Sequence, residues 1–132
     1  MMEPIVWGRT ALAYIIRGNV MPEKTQFPTQ PDLEFQVGFV VYPAGGTVRP
    51  HRHIPVTRKI ERTCEVIVVK KGKCDVDLYN DDRQLVATHE LLTGDLIILV
   101  SGGHGFRMKE DTVLLEIKQG PYFGLNEKES LE

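Results

Sequence analysis

Two histidines separated by a single residue are the first candidates for chemistry in this chain. His51 and His53 open the stretch HRHIPVTRKIERTCEVIVVKKG, residues 51–72. On a β-strand these two positions point to the same face, so both imidazoles could converge on one metal ion while Arg52 points away. A polar turn before a strand would carry the same residues. The first acidic residue after the pair that falls within a strand-like run is Glu65.

Short β-rich segments would have to position these side chains. Helical periodicity is scarce after residue 20, and strand-like runs separated by Gly, Pro, Asn and Asp take its place. This spacing predicts an antiparallel β-sandwich or barrel. The predicted strand runs are residues 33–42, 64–71, 73–80, 84–92, 95–100, 103–110 and 112–120.

Two details of these runs predict how the strands pack. In CDVDLY, residues 74–79, apolar and polar residues alternate, which indicates one buried and one wet face, and the following NDD predicts a hairpin turn. By contrast, EVIVV and DLIILV are apolar on both faces. Either the sandwich is thick there, or a second subunit covers one face.

The glycine and histidine spacing resembles the cupin family, whose motifs read G-x5-H-x-H-x3,4-E-x6-G and G-x5-P-x-G-x2-H-x3-N. Five residues separate Gly45 from His51, and six separate Glu65 from Gly72, as in the first motif. Gly94 begins the segment GDLIILVSGGHGF, which resembles the second motif and contains a third histidine, His104. The chain departs from the pattern in four places, two of which are that His104 comes one residue early and that Met108 stands where the motif has asparagine. Eleven residues separate His53 from Glu65, so this segment must loop out, and Val100 replaces the motif proline.

The resemblance implies an all-β fold, a double-stranded β-helix (cupin jelly roll). The proline-rich composition of residues 1–32 separately predicts an extended N-terminal arm. The resemblance also implies that His51, His53, Glu65 and His104 are ligands of one divalent transition metal per chain. Three imidazoles and a carboxylate suit Zn, Fe, Mn, Ni or Cu. The glycines of SGGHG would turn the backbone so that His104 reaches inward. The combination is similar to a small single-domain bacterial cupin group of largely unassigned function, associated with polysaccharide and nucleotide-sugar genes.

Three further polar residues are candidates for catalysis. Glu116 and Lys118 alternate in LLEIKQG and share one strand face. They could form a pocket pair for acid–base chemistry, or a solvated strand end. Arg58, in the inserted loop, could grip a carboxylate or phosphate, or remain solvated. His89 matches neither motif and is interpreted as a strand-edge residue.

The chain is predicted to divide into an N-terminal arm at residues 1–32, a cupin sandwich at 33–122 and a polar, fraying tail at 123–132. Within the arm, ALAYIIRGNV could be an edge strand or a short helix, and three prolines follow it within MPEKTQFPTQPD. The arm around residues 4–20 is predicted to pack on the partner of a homodimer. Tyr42, Phe106 and Tyr122 could form an aromatic rim for a ligand, or lie in the core.

Composition excludes several classes of function. A net charge of −2 with acids and bases intermixed disfavours nucleic-acid binding, and no segment is apolar enough to span a membrane. We therefore expect a cytoplasmic protein. Cys64 and Cys74 are interpreted as buried thiols.

Three functions remain open from the sequence. The first is a metal-dependent enzyme, an isomerase, epimerase or dioxygenase, acting on a small oxygen-rich molecule such as a sugar or sugar-nucleotide. The second is a metal- or ligand-binding module without turnover. The third is a metal-free sugar isomerase or epimerase with a histidine base.

Overall fold

The computed structural model describes the backbone of residues 1–132 and every side chain except those of residues 125 and 126. It divides into two compact units, the first formed by residues 1–20 and 63–132 and the second by residues 21–62. The first unit contains all eight strands: β1 (Met2–Trp7), β2 (Thr10–Ile16), β3 (Glu65–Lys71), β4 (Lys73–Tyr79), β5 (Leu85–Leu92), β6 (Leu96–Leu99), β7 (Gly103–Met108) and β8 (Val113–Lys118). A single 3-10 turn follows at Gly124–Glu127.

The strands form two antiparallel sheets, which is consistent with a β-sandwich. One sheet has five strands in the order β1-β2-β6-β3-β8, and the other has three in the order β5-β4-β7. Apolar side chains from both sheets meet in one core, which includes Ile67 and Ile97 from the larger sheet and Val76 and Leu91 from the smaller one. The predicted all-β architecture is confirmed at this level.

The alternation of apolar and polar residues in β4 explains which of its faces is buried. Cys74, Val76 and Leu78 are buried in the core, while Asp75 and Asp77 lie on the opposite face, as predicted. The predicted hairpin after β4 also forms: the Asn80 side chain accepts hydrogen bonds from the backbone N–H groups of residues 82 and 84. Both cysteines are buried free thiols, as predicted.

The strands that are apolar on both faces are buried on both faces. Neighbours on a strand point to opposite sides, yet Ile97 and Ile98 of β6 are each 0% exposed. On the edge strand β8, however, Leu115 and Ile117 remain 46% and 44% exposed. The predicted packing of a partner subunit on this protein stays a prediction.

The N-terminal residues are not one extended element. ALAYIIRGNV contributes to a strand, β2, which pairs with β1 on one side and β6 on the other. Arg17, just after β2, is bonded to the buried carboxylate of Asp95, which also accepts from the Gly18 N–H at 2.8 Å. Residues 2–16 therefore belong to the larger sheet, and residues 21–32 belong to the second unit.

The predicted strand at residues 33–42 is wrong. In the second unit only an isolated bridge between Gln26 and Phe39 forms. The side-chain amide of Gln36 donates to the backbone carbonyl oxygens of Gln30 and Leu33. These local bonds take the place of the backbone hydrogen bonds that a strand would make with a neighbouring strand. Alternating apolar residues in one segment do not show whether a partner strand is present. Within the described part of the chain, no helix is long and apolar enough to cross a membrane.

Candidate functional site at the polar end of the sandwich

The inner face of β3 and β8 changes from apolar to polar along its length. Val69 and Ile67 lie in the core, and the next residue of β3 on that face is Glu65. In the paired strand β8, Glu116 lies opposite Ile67, and Lys118 lies opposite Glu65. Because side chains alternate along a strand, these polar groups share the face that carries the core residues.

The smaller sheet supplies an imidazole to the same face. His104 and Phe106 of β7 are paired with Leu78 and Val76 of β4, which are core residues. Phe106 packs against the core, and the His104 ring lies 6.0 Å from the Phe106 ring. His104 therefore points inward, as the glycines before it predicted.

Gly102 produces this orientation. Its φ is +69°, a region that favours glycine, and a Cβ at this position would lie 2.1 Å from the carbonyl oxygen of Tyr79. No other residue type fits this backbone without a shift. The turn before β7 thus brings His104 into register with Leu78.

Three titratable side chains meet at this polar end. The Nε2 atom of His104 lies 3.7 Å from a carboxyl oxygen of Glu65. The Glu65 and Glu116 carboxyl groups hydrogen-bond to each other, which requires one proton between them. Glu65 is 13% exposed and His104 32% exposed at the side chain, so both can meet a small molecule while being partly shielded from water.

This environment shifts the ionisation of all three groups. Burial raises the pKa of Glu65 to about 7, and the hydrogen bond and negative charge of Glu116 act in the same direction. The hydrogen bond from Glu65 lowers the pKa of Glu116. Burial lowers the pKa of His104 below its ordinary value. At neutral pH, the cluster holds a neutral imidazole and a carboxyl pair that can gain or lose a proton.

Two lysines border the cluster, and the sequence indicated only one of them. Lys118 lies opposite Glu65, with its ammonium group 5.7 Å from the centre of the Tyr122 ring. Lys128 comes from the C-terminal tail, and its charge acts on Glu65, His104 and Glu116. No motif or periodicity marks Lys128, because it lies in the short polar run NEKES, residues 126–130.

His51 and His53 belong to the second unit and do not lie on a strand. Residues 43–62 contain no strand, so the prediction that both histidines share a strand face is wrong. Pro50 removes a backbone donor just before the pair, and no partner strand is present. The two rings are nevertheless neighbours, with centroids 5.4 Å apart. Arg58, predicted as a catalytic residue, lies exposed in the same irregular segment.

The His51 ring has a geometry compatible with metal binding. Its Nδ1 atom lies 2.8 Å from the Arg49 carbonyl oxygen. A carbonyl only accepts, so this hydrogen bond requires a proton on Nδ1 and leaves the Nε2 lone pair for a metal. Among the side chains that the structure describes, however, no three His, Cys, Asp or Glu residues are grouped to hold an ion.

The structure therefore brings together four of the seven predicted site residues: Glu65, His104, Glu116 and Lys118. His51, His53 and Arg58 belong to the other unit. His89 lies on the edge strand β5, as expected. Of the three candidate aromatic residues, Phe106 packs on the core, whereas Tyr42 and Tyr122 are 53% and 70% exposed.

No family model, curated protein or solved structure matches this chain.

Proposed function

We propose that the polar end of the sandwich binds a small oxygen-rich molecule, such as a sugar or sugar-nucleotide, and transfers a proton on it. The observation that carries this proposal is the convergence of Glu65, Glu116 and His104 on the face that otherwise forms the core. Buried carboxyl groups are costly unless they are paired, so such a cluster is expected where chemistry or binding requires it.

The proposed reaction is proton abstraction next to a carbonyl group, as in sugar isomerisation or epimerisation. A Glu65 carboxylate takes the proton from carbon, and the bonding electrons move to the carbonyl oxygen, giving an enediolate. The neutral imidazole of His104 donates a hydrogen bond to that oxygen. Returning the proton to carbon completes the exchange. The pKa of Glu65, about 7, supports this role, since a base works best when its pKa is near the working pH.

Deuterium exchange across a panel of candidate sugars tests this proposal. Small aldoses, ketoses and their phosphates are incubated with the protein in D₂O, and loss of carbon-bound protons is followed by NMR. We expect exchange in at least one compound, reduced about a hundredfold in Glu65→Gln. Glu90→Gln, on the edge strand β5, is the matched control. Exchange that persists in Glu65→Gln would contradict the assigned base, and neither exchange nor binding across the panel would contradict the function.

Metal binding is a second candidate, favoured by the neighbouring rings of His51 and His53 and by the available Nε2 of His51. The ligand set predicted from the sequence, His51, His53, Glu65 and His104, stays a prediction because it draws on both units. An imidazole and carboxylate set would hold a transition metal, which when bound polarises a substrate oxygen. The cupin assignment is a proposal too, supported by Gly45, Gly72 and Gly94, motif glycines that all have positive φ.

Metal analysis of protein prepared without a chelating tag tests the second candidate. We expect close to one transition-metal ion per chain, lost when His51 and His53 are both replaced by Ala. His89→Gln is the control. Unchanged occupancy in the double variant would remove these histidines from the ligand set.

A further inference from the structure

The C-terminal residues 127–132 form a segment, called here the strap, that is attached to one end of the β4–β7 pair, where Tyr79 lies opposite Gly103. Arg83, in the β4–β5 turn, forms an ion pair with Glu129 and donates to the carbonyl oxygen of Ser130 at 3.4 Å. Leu131 packs over Gly103, where an added Cβ would lie 2.3 Å from Leu131 Cδ1. The strap is thus attached beside His104, although the sequence predicted a fraying tail.

These attachments explain why Lys128 lies near the polar end. It immediately precedes Glu129 in the chain, and its charge acts on Glu65, His104 and Glu116 together. Neither Lys118 nor Lys128 forms an ion pair with any side chain that the structure describes, so both ammonium groups are available to a ligand. Two ammonium groups at one small site favour a doubly charged anion, because each adds a charge-assisted hydrogen bond.

We propose that the strap closes over the polar end of the sandwich and places Lys128 beside Lys118 to bind a phosphoryl group of the ligand. This inference rests on the proposed function, since it names the ligand class of the same site. Glu65, Glu116 and His104 act on the oxygen-rich part of the molecule, and the two lysines hold its phosphate. The strap would open to admit the ligand by releasing the Arg83–Glu129 ion pair, which is exposed and therefore weak.

Titration of the full-length protein with inorganic phosphate at constant ionic strength tests the binding role. Amide NMR shifts are expected at residues 103–105, 116–118 and 127–131. Lys128→Gln should weaken phosphate binding about tenfold, since it removes one charge-assisted hydrogen bond. Lys70→Gln, at the other end of β3, is the matched control and should bind phosphate like the unmodified protein. Equal affinity in the two variants would overturn the assignment of Lys128.

A second pair of variants tests the strap itself. Glu129→Gln removes the charge that Arg83 holds, so we expect faster amide hydrogen exchange at residues 127–131 and severalfold weaker phosphate binding. Glu127→Gln, just before Lys128, should change neither. Phosphate binding that is unaffected by Glu129→Gln would overturn the closing role.

The outcome also separates this inference from the proposed function. If the protein exchanges protons on an uncharged sugar but phosphate shifts no amide at the polar end, the phosphate inference fails and the proton-transfer function stands. If phosphate binds through Lys128 but no compound exchanges, the phosphate site stands and the proton-transfer function fails.

Discussion

The middle and the polar end of the sandwich interior are built by the same strands, yet they use opposite chemistry. In β3, Ile67 and Val69 fill the core, and Glu65 on the same face begins the polar end. In β7, Phe106 packs on the core and His104, also on that face, joins Glu65. Moving by two residues along a strand is thus enough to change from packing to chemistry. The middle should carry stability, and the polar end should carry ligand binding and proton transfer.

Removing a core side chain from the middle should have the largest effect on stability. Ile97 is 0% exposed, so Ile97→Ala should lower the free energy of unfolding by about 3 kcal/mol through lost burial and a cavity. Urea unfolding followed by circular dichroism measures this change. Ile117→Ala, on a side chain that is 44% exposed, is the matched control and should cost far less. Equal losses in the two variants would mean that the core does not lie where we describe it.

A change in the Gly102 turn, which orients His104, should have the second largest effect on stability. Gly102→Ala places a Cβ on a positive-φ residue and against the Tyr79 carbonyl oxygen, so we expect a loss of about 2 kcal/mol in unfolding free energy. It should also reduce the proton exchange assigned to the polar end, because the imidazole shifts. Gly105→Ala is the control, since a Cβ there meets no atom within 4 Å and φ is not positive. A fully stable and active Gly102→Ala protein would contradict the role of this turn.

Because of the carboxyl pair, the free energy of unfolding of the protein should fall as pH rises. The folded-state pKa of Glu65 is about 7, above its ordinary value of 4.5, so the folded protein binds more protons between these values and loses stability as pH increases. Glu65→Gln should therefore be more stable than the unmodified protein above pH 7, by about 1 kcal/mol after allowing for solvent screening. Below the ordinary pKa this difference should vanish.

Unfolding of chelator-treated protein across this pH range provides the measurement for Glu65→Gln. Glu90→Gln serves as the control, and it should show no stabilisation that develops between pH 4.5 and pH 7. We expect the stability difference between Glu65→Gln and the unmodified protein to grow in favour of Glu65→Gln as pH rises. A difference that instead moves in favour of the unmodified protein would contradict this prediction.

A change on the outer face of the smaller sheet should have the smallest effect on stability. Its pH dependence should be opposite to that of Glu65, because stability is lost as pH falls. Arg107 donates two hydrogen bonds to Asp77, and they lower the pKa of Asp77 to about 2. This stabilisation is present above the ordinary aspartate pKa and is lost as pH falls through 2. Asp77→Asn should lower the melting temperature slightly at pH 7, with the difference from the unmodified protein shrinking in acid. Asp81→Asn, in the nearby turn, should show no such pH dependence.

Much of the strand pattern was predictable, because it depends on neighbours in sequence. Six of the seven predicted strand runs correspond to β3 through β8, and the alternation of β4 correctly assigned its buried face. The run at residues 33–42 failed for a physical reason. A strand needs a hydrogen-bonding partner, and in the second unit the Gln36 side chain bonds to turn carbonyl groups instead. The strand assumed for His51 and His53 failed in the same way.

The sequence by itself determined which side chains could do chemistry, since the spacing of histidines, acids and glycines is written in the chain. It also determined that Glu116 and Lys118 share a face, because alternation is a property of any strand. Only the tertiary structure decided which of these groups meet. The pairing register of β3 with β8 brings Glu65 beside Glu116, and the Gly102 turn brings His104 to Glu65. Arg83 holds the strap that carries Lys128. These contacts join residues distant in sequence, and local propensity carries no information about such distances.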